Sequence, residues 1–399
     1  MKKLIHMKKN RREFLKLTGR AGLALGVIGL KPSVFDLNSV NPAGEEIKFI
    51  SPVDGDMLNE YDGTVADGNL KIKVKIAAPS GNRIKVNGVK AKYIDGIFQA
   101  DISLKHYENV IEMTERKKGY RESIKIFWLK NYANRYRFSF DDNIRFLKDI
   151  SSNADKYKSI FENPYLGFLK QVHDTYGTKI HINIYYETDG FNLSQMTDKF
   201  KNEWKANAAW LGLSFHALAN DPDRPYLNAG YDQVKRDCDL VKEQIKRFAG
   251  EEVMGPETTL HWGACTVEGC RALRDSGYTV MAGYFNVDDD QSPVSYYLNE
   301  EQRRHIKKRF IWRDNKEGII FSRMAIVVNN SKLENIIPYL DNVKKTFNPR
   351  YIDLMIHEGY FYPDYRSYQP DFRDKVMTAT KWAVDNGFKP RFLKECVFE

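Results

Sequence analysis

Three apolar runs in this 399-residue chain end in side chains that bind cations or move protons. Arg137-Phe-Ser-Phe140 runs into Asp141-Asp142, Trp210-Leu-Gly-Leu-Ser-Phe215 ends at His216, and Ile352-Asp-Leu-Met-Ile356 ends at His357-Glu358. A turn-like stretch between the second and third carries His261. In parallel α/β proteins the C-terminal ends of the strands converge on one face, where active sites form. Carboxylates and imidazoles gathered there can hold a divalent cation and leave another Asp and His for proton transfer. Each residue also has a plainer reading. An Asp-Asp pair alone is often a solvated turn, His216 could be a hydrogen-bonded core histidine, and His357-Glu358 could be a structural ion pair. Their shared position at strand ends favours the site.

The elements that must place these residues are of two kinds. From Ile47 to about Leu129, short alternating segments are broken by turn residues. Leu70-Lys-Ile-Lys-Val-Lys-Ile76 alternates strictly, as a half-buried strand does, and Asn87-Gly88 and Asp95-Gly96 are turn signals. Residues 46–130 therefore read as a small all-β sandwich of immunoglobulin-like size, a spacer or packing partner by default. From Tyr136 onward strands alternate with helical stretches, which predicts an α/β domain with mainly parallel strands over 131–399. Ile180-His-Ile-Asn-Ile-Tyr-Tyr186, Thr279-Val-Met-Ala282 and Ile319 to Ile326 supply further strands. Tyr231 to Phe248 is predicted helical, with Val234, Cys238, Val241, Ile245 and Phe248 on one stripe. Met377 to Asn386 reads as a helix stopped by Gly387.

Composition narrows the function classes. A hydrophobic content of 42% with 13% aromatic residues is enough for real cores and excludes general disorder. The net charge of +9 invites a nucleic-acid reading, but residues 1–31 carry nine basic side chains against one acid, Glu13. That places nearly all the excess in the N-terminal segment, so overall charge gives no support to nucleic-acid binding. Asn10-Arg11-Arg12-Glu13-Phe14-Leu15-Lys16 resembles the twin-arginine motif, and the run Ala21 to Leu30 follows it. Residues 1–31 thus read as a twin-arginine-type signal peptide, which implies the matching export machinery and a periplasmic or extracellular location. The apolar run falls short of the ~20 residues that span a bilayer, so no stable membrane span is expected in the mature chain. Residues 32–45 read as a linker. Cys238, Cys265, Cys270 and Cys396 form no Cys-x-x-Cys pair and read as buried free thiols.

With strand ends and spacing in view, the chain resembles the polysaccharide-deacetylase superfamily, also called the chitooligosaccharide-deacetylase homology domain. The family's Thr-Phe-Asp-Asp-Gly reads here as Ser139-Phe140-Asp141-Asp142-Asn143; its His-Ser/Thr-x-x-His reads as His216-Ala-Leu-Ala-Asn220. Its strand ending in Leu-x-His is similar to Leu354-Met-Ile-His357, and Ala383-Val-Asp-Asn-Gly-Phe388 resembles its closing turn. The resemblance covers about residues 136–395, in order but in fragments. It implies a partial or irregular (β/α) barrel, Asp141 as catalytic base, Asp142 and His216 as metal ligands, and His357 as general acid. Zinc is the implied cation. Three departures stand out: Asn220 replaces the second histidine, Asn143 replaces a glycine, and the family's Arg-x-Pro-x-Gly has no match near Leu260-His-Trp-Gly-Ala264. The third ligand is open between His261, Asn220 and Asp221, and an amide ligand would admit other divalent ions.

The resemblance implies removal of N- or O-acetyl groups from a polysaccharide or oligosaccharide. Trp262, Glu358, Tyr360 and Tyr362 are candidate sugar contacts, although core packing explains the aromatics equally well. Two other readings remain. One is a metal-free glycoside hydrolase using two carboxylates among Glu187, Asp189 and Glu358. The other is a catalytically degenerate barrel that binds glycan. His173, His181 and His305 match no motif and read as surface or packing residues, and Asp288-Asp289-Asp290 reads as a solvated loop.

Overall fold

The computed structural model describes residues 46–116, 119–285, 287 and 295–398. The signal-like segment 1–31, the linker 32–45 and the acidic run 288–290 lie outside the described residues.

The first strands are β1 (Lys48–Ser51), β2 (Met57–Leu58), β3 (Thr64–Ala66), β4 (Asn69–Ala77), β5 (Ile84–Val86), β6 (Val89–Lys90), β7 (Lys92–Ile94), β8 (Ile97–Leu104), β9 (Glu108–Glu115) and β10 (Tyr120–Trp128). One sheet runs β1-β4-β8-β7 with β3 beside β4, and the other runs β2-β10-β9-β5-β6. The alternation in β4 dictates its packing. Leu70, Ile72, Val74 and Ile76 face a core shared with Ile111, Met113, Ile124 and Ile126, while Lys71 and Lys73 stay in water. Each such buried aliphatic contributes about 1.5–3 kcal/mol. Asn87-Gly88 turns β5 into β6 with both residues at positive φ, and Asp95-Gly96 does the same between β7 and β8.

The second region contains β11 (Arg135–Asn143), β12 (Ile180–Tyr185), β13 (Glu187–Thr188), β14 (Phe191–Asn192), β15 (Leu211–Ala217), β16 (Glu257–Thr258), β17 (Val280–Gly283), β18 (Ile311–Asp314), β19 (Ile319–Arg323), β20 (Ile326–Val327), β21 (Tyr351–His357) and β22 (Lys389–Pro390). This is a mixed α/β arrangement with parallel-strand sheets. One sheet has the order β15-β12-β11-β21-β20, all parallel, with β22 also on β11. The other has the order β16-β17-β19-β18, of which only β18 is antiparallel. Among the described residues the strands form two separate ladders, and no closed hydrogen-bonded ring of the expected barrel joins them. The run 319–326 had read as one strand; it is two, one in each sheet. Between them Met324 N donates to Gly283 O and Ala325 N to Asp353 O, so the chain crosses from one ladder to the other.

Helix Tyr231–Phe248 buries Val234, Cys238, Val241, Ile245 and Phe248, the stripe seen in the sequence. The C-terminal helix begins earlier than expected, at Phe372, and ends at Asp385 before Gly387 at φ 83°. The four cysteines are buried and free. No helix among the described residues is long and apolar enough to cross a membrane.

The sandwich is docked against the α/β region. Met57, Phe127 and Leu129 share a core with Val280, Ile311, Ile320, Tyr351 and Leu393. Trp312 Nε1 donates to Asp54 O at 2.8 Å, and Arg309 Nη1 meets Asp62 Oδ1 at 2.6 Å. His305, which matched no motif, lies 2.6 Å from Asp56 across this seam. Gly55 is required there: a Cβ would lie 1.9 Å from Arg313 O, and its φ is 82°.

Candidate metal centre and its polar interior

Parallel strands buried on both faces usually read as continuous apolar runs. Here alternate positions are polar and point inward. β11 contributes Arg137, Ser139 and Asp141; β12 contributes His181, Asn183 and Tyr185; β15 contributes Ser214 and His216; β21 contributes Asp353 and His357. Glu257 in β16 continues into Thr259 and His261. Because successive side chains alternate faces, these residues stack in layers from the N-terminal to the C-terminal ends of the strands.

The lowest layer is ionic. Arg137 and Asp353 are register partners on β11 and β21, and their side chains pair through two bonds of 3.1 and 2.9 Å. Arg137 Nη1 also lies 2.5 Å from His181 Nδ1. Burial opposes the charge on Arg137, but Asp353, with Glu257 adding, outweighs it and raises the pKa. A guanidinium can only donate, so His181 Nδ1 accepts and its proton sits on Nε2. Burial first, then the Arg137 charge, holds the His181 pKa well below the usual range, in agreement with a neutral ring.

From there the donor directions are determined upward. His181 Nε2 donates to Ser214 Oγ at 2.8 Å, leaving the Ser214 hydroxyl to donate to Asn183 Oδ1 at 2.5 Å. Asn183 Oδ1 also accepts from Thr259 N at 3.1 Å. Asn183 Nδ2 then donates to Asp141 Oδ1 at 2.6 Å, and Ser139 Oγ donates to the same oxygen at 3.1 Å. Asp141 is 2% exposed. Burial pushes its pKa up to about 6, against His216 and the donors from Asn183 and Ser139, while the Asp142 charge adds to the rise.

Two neighbouring carboxylates cannot both face inward from a regular strand. The pairing of β11 with β12 slips between Phe140 and Asn143, and Asp142 sits at φ 62°. This bulge re-aims Asp142 onto the same rim as Asp141. Asn143, which stands where the family has glycine, holds the bulge. Its Nδ2 donates to Phe140 O and Asn183 O, and its Oδ1 accepts from Tyr165 Oη at 2.9 Å.

At the rim Asp142 Oδ1 lies 3.1 Å from His216 Nε2 and 3.2 Å from His261 Nδ1, and the two ring nitrogens are 3.2 Å apart. These donor atoms all lie within 4.8 Å of one another. His216 Nδ1 donates to Thr259 O at 2.5 Å, so Nε2 is the ring nitrogen turned toward Asp142 and His261. Burial works against charge on His216, but the bond to Asp142 and the charges of Asp141 and Asp142 hold its pKa above the usual value. The donor set suits a divalent cation. Tetrahedral bonds of ~2.0–2.1 Å place neighbouring donors about 3.4 Å apart, close to the separations seen.

The remaining sequence candidates are distributed differently. Asn220 Oδ1 accepts from Tyr185 Oη at 3.3 Å and its Nδ2 lies 3.3 Å from the exposed Asp221. His357 is the register partner of Asp141, and its Nδ1 donates to Asn329 Oδ1 at 2.8 Å. Trp262 is half-buried at φ 63°, with the Arg224 guanidinium 5.0 Å from its ring centroid.

Three residues expected to touch sugar are built into the scaffold instead. Glu358 is fully buried and accepts from the backbone amides of Ile144, Arg145 and Phe146 at 2.7–3.0 Å, and from Tyr362 Oη at 2.7 Å. It caps the helix Arg145–Ser152, whose own N-cap residue makes no side-chain bond. Tyr362 is committed to Glu358 and carries Arg145 over its ring, and Tyr360 is buried against Tyr365. Glu187 and Asp189 are exposed around the β13–β14 hairpin, so they do not pair with the buried Glu358 as a hydrolytic dyad.

Ser139, Asn183, Tyr185 and His181 carried no role in the sequence reading. Their signal was a polar residue at every second place of an otherwise apolar strand.

No protein-family model matches the chain, and no curated protein matches it in sequence. Among solved structures, it is similar to 4-alpha-glucanotransferase from Thermococcus litoralis (TM-score 0.44, 10% identity, 66% of this chain and 40% of that chain). It is also similar to a Streptococcus mutans CE4 esterase (TM-score 0.36, 12% identity, 65% and 85%) and to the carbohydrate deacetylase Agd3 (TM-score 0.37, 8% identity, 78% and 62%). The chain thus spans about two fifths of the glucanotransferase, and none of these likenesses assigns it an activity.

Proposed function

We propose that this chain is a metal-dependent hydrolase that removes N- or O-acetyl groups from a polysaccharide or oligosaccharide, exported behind the twin-arginine-type segment 1–31. The observation that carries the reading is the convergence of Asp142, His216 and His261 beside the buried carboxylate of Asp141. Asp142, His216 and His261 would hold a divalent cation, zinc in our reading, which would act as a Lewis acid on an acyl carbonyl and would bring the pKa of an attacking water from ~16 towards ~7.

The chain's own residues supply the rest. Asp141 has one oxygen fixed by Asn183 and Ser139, so its other oxygen takes the proton from water. The missing arginine motif therefore does not leave Asp141 unheld, which weakens the degenerate-barrel reading. His357, with Nδ1–H bonded to Asn329, offers Nε2 to give a proton to the leaving amine or alkoxide. Trp262, next to ligand His261, is the aromatic best placed to contact the sugar.

Acetate release from acetylated xylan and from acetylated chitooligosaccharides, before and after chelation, tests the proposal. Asp142→Ala is expected to lose both zinc and turnover, whereas Asp141→Asn keeps zinc and loses turnover. Acetate release that survives chelation or both substitutions would sink it.

A further inference from the structure

We propose that the seam between the sandwich and the α/β region carries a binding site for a carboxylate-bearing sugar ring. This goes beyond the reaction proposed above and does not depend on the cation cluster.

A cavity of about 170 Å³ lies at this seam. Tyr61 and Asp62 line it from the sandwich, Tyr132 from the segment joining β10 to β11, Arg309 from the helix Glu300–Arg309, and Asn348 and Arg350 from the turn before β21. A cavity of ~150 Å³ accepts a benzene ring, so the space suits one six-membered ring. Tyr61 and Asn348 are exposed, which opens the space to solvent.

The polar groups of the wall are incompletely matched by protein. Tyr132 is 1% exposed and stacks on Tyr351, yet among the described residues its hydroxyl has no hydrogen-bond partner. A buried hydroxyl in that state takes its partner from water or a ligand. Burial raises the Tyr132 pKa, Cys396 adds to the rise and Arg309 opposes it, so the group keeps its proton to donate. Arg309 Nη1 is paired with Asp62 Oδ1 at 2.6 Å, whereas its Nε makes no hydrogen bond among the described residues. Asp62 thus compensates Arg309, and Arg350 supplies a charge that no described acid answers. Its guanidinium lies over the Tyr61 ring, 3.5 Å from the centroid. A stacked guanidinium keeps its N–H edge for an in-plane carboxylate.

The ligand class follows from this set. One unanswered cation calls for one negative charge, and arginine matches a carboxylate through two parallel bonds. The donors of Tyr132 and Arg309 suit ring hydroxyls, and the Asp62 carboxylate can accept from one. The same carboxylate disfavours a compact multivalent anion such as phosphate. Because both regions line the cavity, an occupied site also fastens the sandwich to the α/β region.

Calorimetric titration of the full chain tests this, after chelation and dialysis so that no carboxylate binds through a cation. The probes are trigalacturonate and trimannuronate, their carboxyl-reduced neutral forms, free galacturonate and inorganic phosphate. Saturable binding of at least one acidic trimer is expected, weakening as salt rises, with its neutral form more than about tenfold weaker. Arg350→Gln should weaken the acidic trimer by more than about tenfold, and Tyr132→Phe by about 3–10-fold. Tighter binding of the trimer than of free galacturonate supports a polysaccharide unit as the ligand, and equal binding supports a free sugar acid. Hydrogen exchange of the wild type decides even where a variant fails to fold: the trimer should slow exchange over residues 58–62 and 347–350 together. Four results would overturn the inference. They are no binding of either acidic trimer, equal binding of the neutral forms, equal binding of phosphate, and protection confined to other parts of the chain. None of these measurements reads acetate release, so the reaction proposed above can fail while this site stands, and the reverse.

Discussion

Strands β4 and β11 alternate polar and apolar residues with the same period, yet they use it in opposite senses. In β4 the aliphatics face the sandwich core and the lysines face water. In β11 Phe138 and Phe140 pack outward in the main apolar core, while Arg137, Ser139 and Asp141 face a closed polar interior. Period alone separates two faces without saying which is wet. The cost differs greatly: a hydrated lysine costs nothing to keep, whereas an enclosed polar group needs every partner it can find. The α/β region accepts that cost along each inward strand face, and the layers end in the cluster of Asp142, His216 and His261.

The largest contrast is expected from removing one charge on each face. Arg137→Met leaves Asp353, Glu257 and His181 facing one another without their cation. We expect a loss of about 3–5 kcal/mol in urea unfolding. Lys73→Met, at an exposed position whose Asp101 partner is 3.6 Å away, should stay within about 0.5–1 kcal/mol. Equal losses would mean that the two alternations are energetically alike. Arg137→Met with Asp353→Leu should recover much of the first loss, because no orphaned charge remains in that pair.

A second contrast separates holding the fold from holding the base. Asn183→Ala removes the shorter donor to Asp141 Oδ1 and keeps the ionic layer below intact. If Asp141 is the base, kcat should fall about 100-fold, the scale of a small misplacement of a reacting group, with zinc content and KM little changed. An unchanged kcat would show that Ser139 alone positions Asp141.

Much of the candidate site was legible because its residues lie at strand ends. Asp141, Asp142, His216 and His357 follow apolar runs, and His261 follows a short one in the same direction. What escaped was local geometry. The bulge that turns Asp142 inward has no marker in the sequence except two adjacent acids, which a regular strand would send to opposite faces. Glu358 follows His357 directly, and adjacency suggested a shared role. One step along the chain reverses the side chain's face, and it reaches the helix Arg145–Ser152 instead. Ser139, Asn183 and Tyr185 lay inside strands whose apolar residues drew attention. A polar residue on a strand buried on both faces must be bonded to something, and that rule would have found all three. The split of 319–327 between two sheets depends on contacts far away in sequence, and no local pattern encodes it.

The smallest effect expected is a pH dependence. His181 is held neutral between Arg137, Ser214 and Glu257, with Lys394 also disfavouring its charge. Its folded pKa lies well below the unfolded value of about 6.5. As pH falls through that value the unfolded chain takes up a proton that the folded chain refuses, so stability present above pH ~6.5 is progressively lost below it. One proton gives a slope of at most ~1.4 kcal/mol per pH unit. Asp353, Glu257 and Glu358 have raised pKa values through burial and act in the opposite sense, so the whole-protein curve mixes both signs. The difference between wild type and His181→Gln isolates the histidine. Urea midpoints compared at pH 7.0 and about one unit below 6.5 should show wild type losing roughly 1 kcal/mol more than the variant. A difference of zero would mean that His181 takes its proton without disturbing Arg137. The donor chain rising from that guanidinium to Asp141 would then no longer have a single direction.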